Sequence, residues 1–204
     1  MKHKGFAQAV FGLMVVAAMI LSTLAPVGAD PTQTTVTLTP VADATINSLS
    51  SNTNFGHDHT LKVQYHSSRL MERTLIRFNL AASVPSDAII DLARLELFLE
   101  GRQGPVSINL LASRLTTNWV EGQVTWNNPP ATGSPTVATL VDTSVSPVRL
   151  DVTDIVRAWH NVPHYGLEVR GPEGETVYDL VFESREHGER PPQLVVTYRL
   201  PTTP

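Results

Sequence analysis

Arginines at matching positions of one predicted strand are the residues of this sequence with the clearest chemical potential. Arg73 and Arg77 share one parity in the segment RTLIRFNL, opposite to the parity of Ile76 and Phe78. A guanidinium can bind a carboxylate through two parallel hydrogen bonds. Two such groups on an exposed sheet face would therefore suit an acidic ligand. Solvated arginines are also the ordinary state of an outer sheet face, and this alternative stays open.

Two further residues extend this candidate ligand site. Arg94 alternates with Leu95 and Leu97 in the segment ARLELFLEG, so it is expected to face away from the core as well. Tyr165 lies near the start of another predicted strand, where its ring is expected to be exposed. The candidate ligand-binding residues are thus Arg73, Arg77, Arg94 and Tyr165.

The other large aromatic residues divide into two groups. Trp119, Trp126 and Trp159 are expected to pack in the core, because large aromatic side chains are buried on average. Phe55, in a polar loop, and Tyr178, near a strand end, are expected to be exposed.

Oxygen-bearing side chains are concentrated in the segment SSNTNFGHDHTLKV, residues 50–63. Asn52, Asn54 and Asp58 offer the carboxylate and amide oxygens that calcium prefers. The alternative is a polar turn in which the asparagines form Asx-turns and Gly56 takes a positive φ. His57 and His59 also raise the possibility of zinc, but two histidines in a chain without cysteine rarely suffice for a tight zinc site.

The first 29 residues have the pattern of a signal peptide. Lys2 and Lys4 precede an apolar run from residue 9 to residue 21, and small residues end at Ala29. The run is short for a membrane span of about 20 residues. Cleavage is expected before Asp30, which leaves residues 30–204 as one domain that is secreted and has no membrane contact.

The charge of this domain limits its partners. Two of the 15 basic residues lie in the signal segment and none of the 19 acidic residues does, which leaves a net charge of −6. Such a balance disfavours a general nucleic-acid binder, which usually carries a basic face. The chain has no cysteine, so its stability depends on core burial, on a bound ion or on both.

Short runs rich in Val, Ile, Thr and Leu, closed by Gly, Pro, Asn or Ser, predict many strands. One of the runs predicted as a strand is QVTW at residues 123–126. Only residues 151–161, DVTDIVRAWHN, have helical spacing. The expected fold is all-β, an antiparallel β-sandwich of jelly-roll type with one short helix.

Several of these segments form an ordered set. They are ADATIN, NTNFG, LKV, RTLIRFNL, ARLELFL, TTNWVEGQVTWNNPP, LDVTDIVRAWHN, YGLEVRG and FESREHGERPPQLVVTY. The set resembles the DNRLRE domain family, a secreted β-sandwich module that includes alginate-binding carbohydrate-binding modules. The resemblance covers about residues 40–199, and the stretch from Trp119 to Pro130 is its most specific part.

The resemblance implies a non-catalytic module that binds a polysaccharide, in particular an acidic one such as alginate. The four candidate residues would then contact the sugar chain. Asp43, the NTNFG turn and the late S-x-E ending at Glu186 are recurrent in this pattern, and a structural calcium ion is one reason that they could recur. The implied calcium ligands are Asp43, Asn52, Asn54, Asp58 and Glu186.

Two other functions remain open at this point. One is a structural cell-surface or matrix protein that associates with itself or with other surface proteins. The other is a polysaccharide lyase, in which His160, His164 and Tyr165 could serve as acid and base. The usual motifs of nucleophilic hydrolases, zinc proteases and phosphate-binding loops are absent from the sequence.

Overall fold

The computed structural model describes residues 32–67, 70–160, 162–174 and 176–201. In these residues, segments with alternating apolar side chains form twelve strands. The predicted signal segment lies outside these residues. The strands are β1 (Gln33–Leu38), β2 (Pro40–Asn47), β3 (Thr60–Ser67), β4 (Leu70–Phe78), β5 (Ile89–Leu97), β6 (Leu99–Gln103), β7 (Ser107–Leu115), β8 (Thr132–Asp142), β9 (Val148–Asp151), β10 (Leu167–Arg170), β11 (Tyr178–Glu183) and β12 (Gln193–Arg199). One 3-10 turn (Leu80–Ala82) and one helix, α1 (Thr153–Trp159), complete the described elements.

The strands form two sheets. The smaller sheet has four strands in the order β1-β12-β5-β9. The larger one has eight, in the order β6-β11-β3-β4-β10-β7-β8, with β2 pairing along β4. Every strand pair in them is antiparallel. The prediction of an antiparallel all-β sandwich with one short helix is confirmed.

The main core fills the space between the sheets. Ile76 and Phe78 of β4 meet Leu95 and Leu97 of β5 there, as the period of two predicts. Helix α1 closes one side of this core with Ile155, Val156 and Trp159, all of them buried. Burial of so many apolar side chains supplies the main stabilisation of a chain that has no disulfides.

A second, smaller core lies on the opposite face of β4. Leu75 has the other parity from Ile76 and packs with Leu115, Trp119 and Val124. Three residues of β2 complete this cluster, namely Ala42, Ala44 and Ile46. The connection between β7 and β8, residues 116–131, therefore lies on the outer face of the larger sheet and covers it in part.

Two predictions about local structure are wrong, and one strand was not predicted. Residues 123–126 form turns in the connection between β7 and β8 and are not a strand. Tyr178 is 1% exposed, because its ring packs in the main core. Strand β8 has no counterpart among the predicted strands, because Gly133 and Pro135 give its sequence the appearance of a loop.

Helix α1 is seven residues long. Among the described residues, no helix has the length and apolar character that a membrane crossing requires.

Candidate functional site

The connection between β7 and β8 provides two tryptophans for the outer face of the larger sheet. A backbone hydrogen bond from Thr116 to Ala131, at 2.8 Å, closes the base of this loop. Trp119 is 4% exposed, and its indole Nε1 donates to the backbone oxygen of Tyr165 at 2.8 Å. This satisfies the single polar group of a buried indole. Trp126, further along the loop, is half-buried against the second core.

Arg77 stacks on the first of these rings. Its guanidinium carbon lies 5.2 Å from the centre of the Trp119 ring, which is a cation–π distance. The Nη1 atom donates to Asn118 Oδ1 at 3.0 Å and to the backbone oxygen of Trp119 at 3.2 Å. These partners are neutral, and among the described residues no carboxylate forms an ion pair with Arg77. The pKa of His164 is lowered, mainly by burial and to a smaller extent by the positive charge of Arg77.

Arg73 stacks on the second ring but is already paired with acids. Its guanidinium carbon lies 4.9 Å from the centre of the Trp126 ring. It forms an ion pair of 2.7 Å with Glu173 and a longer one of 3.6 Å with the buried Glu168. Arg170 pairs with Glu168 as well, at 3.7 Å. Burial raises the pKa of Glu168, and Arg73 and Arg170 oppose that shift. The two arginines and two glutamates balance in charge.

The structure brings three of the four candidate ligand residues together. Tyr165 is half-buried against the second core, beside Trp119. Arg94 lies elsewhere, because β5 belongs to the smaller sheet, where Arg94 is exposed opposite Asp151 of β9. The outer faces of a sandwich point in opposite directions. We call the group on the larger sheet the arginine face: Arg73, Arg77, Trp119, Trp126 and Tyr165.

A second polar site lies at the buried carboxyl group of Asp43 in β2. Asp43 is 1% exposed, and its Oδ2 accepts from the backbone N–H of Arg185 at 2.9 Å. Its own backbone N–H donates to Glu121 Oε1 at 2.7 Å. Burial raises the pKa of Asp43 to about 8, and the charges of Glu186 and Glu121 add to the shift. The backbone N–H of Arg185 opposes it.

Residues from distant parts of the chain complete this second site, which we call the Asp43 cluster: His57, Asp43, Glu121, Arg185 and Glu186. The Nη1 atom of Arg185 donates to both oxygens of Glu121, at 2.9 and 2.7 Å. Single ligand atoms of His57, Glu121 and Glu186 lie within 4.8 Å of one another. Glu121 is in the most specific of the family-like segments, yet nothing local in the sequence marked it as a partner of Asp43.

The other predicted calcium ligands have different partners. Asn54 donates through Nδ2 to the backbone oxygens of Glu121 and Val124, at 2.7 Å each, and its Oδ1 accepts from Gly56 at 3.2 Å. The bond from the backbone N–H of Gly56 to Asn54 Oδ1 forms an Asx-turn, as the interpretation of this loop as a polar turn predicts. Asn52 accepts from Asn127 at 2.7 Å.

Asp58 also has a separate environment. Its side chain lines a small cavity together with Glu72, and its backbone oxygen accepts from Ser184 Oγ at 2.6 Å. Of the five predicted ligands, Asp43 and Glu186 are therefore the two that the structure brings together.

Gly56 has a different role from the predicted one. Its φ is not positive. A Cβ atom at this position would lie 2.1 Å from the backbone oxygen of Glu121. Glycine is needed there because the polar loop approaches the backbone that carries Glu121, and this contact holds Asn54 and Glu121 in place.

The Asp43 cluster has the charge and the oxygen content of a divalent cation site. Three carboxyl groups, those of Asp43, Glu121 and Glu186, converge on one region, and calcium binds six to eight oxygens. Mutual repulsion helps to raise the pKa of Asp43, and a bound cation would remove that repulsion. Arg185 would have to release at least part of Glu121. The residues present therefore fit calcium, with Asp43, Glu121 and Glu186 as its holders.

The chain was compared with known protein families and with curated proteins. The model of "Carbohydrate-binding module family 96" matches residues 34–198, which is nearly the entire described sandwich. This match supports the resemblance to carbohydrate-binding modules and does not bear on the DNRLRE name. No curated protein matches the chain. The extent of the family match, on a sandwich with a tryptophan-bearing outer face, shows that the chain belongs to carbohydrate-binding module family 96.

Proposed function

We propose that the chain is a secreted, non-catalytic module that binds an acidic polysaccharide, such as alginate, on the arginine face. The observation that carries the proposal is Arg77, a cation held in place by Trp119 whose described partners are all neutral. Its guanidinium can therefore accept a carboxylate without first losing an ion pair. Sequencing the N-terminus of the protein from culture medium tests secretion, since it should begin at Asp30.

The charge of the rest of the chain makes a local site necessary. Without the two lysines of the signal segment the formal net charge is −6, so an acidic polymer is repelled at long range. An acidic polymer must therefore be attracted by a cationic side chain that has no carboxylate partner and is held in one position. Arg77 meets this condition better than Arg73, because Glu173 and Glu168 already balance Arg73. Trp126 and Tyr165, both half-buried, add partly exposed rings for contact with sugar.

One observation favours a lyase as a second candidate. His164 lies close enough to Arg77 for the charge to lower its pKa, and it adjoins Tyr165, so a base, an acid and a carboxylate-binding cation are near one another. However, the ring of the half-buried His164 stacks on the buried Trp159 at 4.7 Å, in contact with the main core. Incubation with alginate and pectin tests this, because a lyase would produce unsaturated sugar ends with ultraviolet absorbance. We expect none.

Affinity electrophoresis through a panel of polysaccharides tests the proposed function. Alginate and pectin should retard the protein far more strongly than neutral glucans and xylans do. Added salt should weaken the retardation, because ionic screening reduces contacts between exposed charges. Retardation by neutral glycans alone would contradict the acidic ligand and leave carbohydrate binding intact. Retardation by none of them would contradict both.

We also propose that calcium binds in the Asp43 cluster and stabilises the fold. The support is that Glu121 and Glu186 lie close to one another and close enough to the buried Asp43 to raise its pKa, in a chain without disulfides. Calcium would join β2, the β7–β8 connection and the segment after β11. Binding to the folded state alone stabilises a protein by mass action, by roughly 2.7 kcal/mol at a hundredfold excess over Kd.

The protonation of Asp43 gives this proposal a pH signature. The pKa of Asp43 rises from an ordinary 3.8 in the unfolded chain to about 8 in the fold, so unfolding releases a proton between these values. The contribution of Asp43 to the stability of the calcium-free protein should therefore be largest below about pH 4 and fall as the pH rises to about 8. The decline should be at most ~1.4 kcal/mol per pH unit.

Asp43→Asn should remove that decline and the response to calcium together. Asparagine still accepts from the backbone N–H of Arg185 but carries no charge. Urea unfolding at pH 5 and pH 8, in EDTA or in calcium, measures both effects, with Asp142→Asn on the exposed side of β8 as the control. Calcium should stabilise the wild type and the control, more at pH 8 than at pH 5. Equal stabilisation of Asp43→Asn by calcium would place the ion elsewhere.

A further inference from the structure

A small cavity lies where the polar loop before β3 meets β2 and β4. Its volume is about 160 Å³, and its lining includes Asn47, Phe55, Asp58, Thr60, Lys62 and Glu72. We call it the Glu72 cavity. Phe55 is fixed at its wall by a β-bridge to Thr45, and its ring is half-buried. None of these residues belongs to the arginine face or to the Asp43 cluster.

The carboxyl group of Glu72 is only half satisfied. The residue is 5% exposed, and its Oε1 accepts from Asn47 Nδ2 at 2.6 Å. Its other oxygen, Oε2, is buried and has no hydrogen-bond partner in the described part of the chain. A buried acceptor without a partner destabilises the fold. This oxygen therefore calls for a donor that the described residues do not supply.

The lining of the cavity combines donors with acceptors. Lys62 contributes an ammonium group, whereas Glu72 and Asp58 contribute carboxylates and Thr60 a hydroxyl. Burial raises the pKa of Glu72, and the nearby charge of Lys62 opposes that shift. No ion pair joins Lys62 to either carboxylate among the described residues. The Lys62 ammonium therefore lies near Glu72, but no ion pair between them fills the cavity.

The combination of one ammonium and two carboxyl groups in the cavity favours one class of ligand over the others. A metal cation would satisfy the carboxylates but would be repelled by Lys62. An anion, including a uronic acid carboxylate, would be attracted by Lys62 but repelled by Glu72 and Asp58. A hydroxyl group both donates and accepts, so adjacent hydroxyls can satisfy a carboxylate and an ammonium at once.

We infer that the Glu72 cavity binds the adjacent hydroxyls of one neutral sugar ring, as a second carbohydrate site. The inference rests on the proposed carbohydrate-binding function. Glu72 Oε2 accepts from one hydroxyl, Lys62 donates to the next, and Phe55 packs against the apolar face of the ring. The cavity is smaller than the roughly 300 Å³ at which sites for drug-sized ligands begin, so it takes one ring and not a length of chain.

Titration of the ¹⁵N-labelled protein with methyl glycosides of glucose, mannose and galactose tests the inference. At least one glycoside should shift the amide signals of Thr60, Lys62 and Glu72. Glu72→Gln should weaken that binding at least tenfold, because glutamine still accepts from Asn47 but presents an amide NH₂ in place of the free oxygen. Lys62→Met should weaken it as well, and gives an independent readout if Glu72→Gln fails to fold. Glu96→Gln, the same change on the smaller sheet, should have no effect.

The outcomes separate this inference from the proposed function. Both variants should still be retarded by alginate, because the arginine face is intact. Glycoside binding that Glu72→Gln and Lys62→Met leave unchanged would overturn the inference, as would alginate binding with no glycoside response in the cavity. Shifts of the same amides with calcium, and not with glycosides, would make the cavity a cation site. Failure of the wild type with every glycan would defeat the proposed function and the inference together.

Discussion

Arg77→Ala is expected to abolish retardation of the protein by alginate. Arg77 supplies the one cation of the arginine face whose described partners are all neutral. Hydrogen bonds to charged groups contribute about 1.5–3 kcal/mol, so its loss should weaken binding by roughly ten- to a hundredfold. The fold should be retained, because the side chain is only half-buried and forms no described ion pair. Affinity electrophoresis measures the binding, and circular dichroism verifies the fold.

Arg94→Ala is the matched control for this prediction. It removes the same group from the outer face of the other sheet, where Arg94 is exposed. Retardation should stay at the level of the wild type. Arg77→Lys should bind weakly, because an ammonium lacks the planar fork that guanidinium presents to a carboxylate. If Arg94→Ala lost binding and Arg77→Ala kept it, the binding face would be the smaller sheet.

Trp119→Ala should give the largest loss of stability, about 3–5 kcal/mol. The ring is 4% exposed in the second core, and its Nε1–H satisfies the backbone oxygen of Tyr165. Removing it leaves a cavity and an unpaired carbonyl, and it also removes the surface on which Arg77 stacks. Alginate binding should fall together with stability. Urea unfolding measures the first effect and affinity electrophoresis the second.

Val120→Ala provides the comparison at the next position of the chain. Val120 is 50% exposed, so its truncation should change stability by no more than about 0.5 kcal/mol. A loss below about 1 kcal/mol in Trp119→Ala would mean that the loop does not depend on its tryptophan. In that case the packing of Trp119 in the second core would not be what holds the arginine face in place.

Strand identity could be predicted from the sequence wherever one face is buried. Ile76 with Phe78, and Leu95 with Leu97, alternate with polar residues and proved to face the main core. The expectation that Tyr178 is exposed because it lies near a strand end was wrong, since nothing local shows that Tyr178 pairs with Tyr65 of β3 and packs in the main core. Parity tells which residues share a face, but the burial of that face depends on residues far along the chain.

The candidate sites also depend on contacts between distant parts of the chain, which the sequence pattern does not show. Arg73 and Arg77 could be paired from the sequence because they share a strand, whereas the sheet to which Arg94 belongs depends on long-range pairing. Asp43 and Glu186 were named from the family resemblance, yet Glu121, 78 residues after Asp43, was not assigned to them. Its role depends on the close approach of Gly56 to the β7–β8 connection, which no short-range pattern encodes.

The most direct test of the arginine face is a map of the amide signals that shift when alginate oligosaccharide is added to the ¹⁵N-labelled protein. The account predicts shifts at residues 73–77 of β4, at residues 118–119 and at residues 165–170, with β5, β9 and β12 unaffected. Shifts confined to β5, β9 and β12, or no shifts at saturating oligosaccharide, would contradict the proposal that the arginine face binds the acidic polysaccharide.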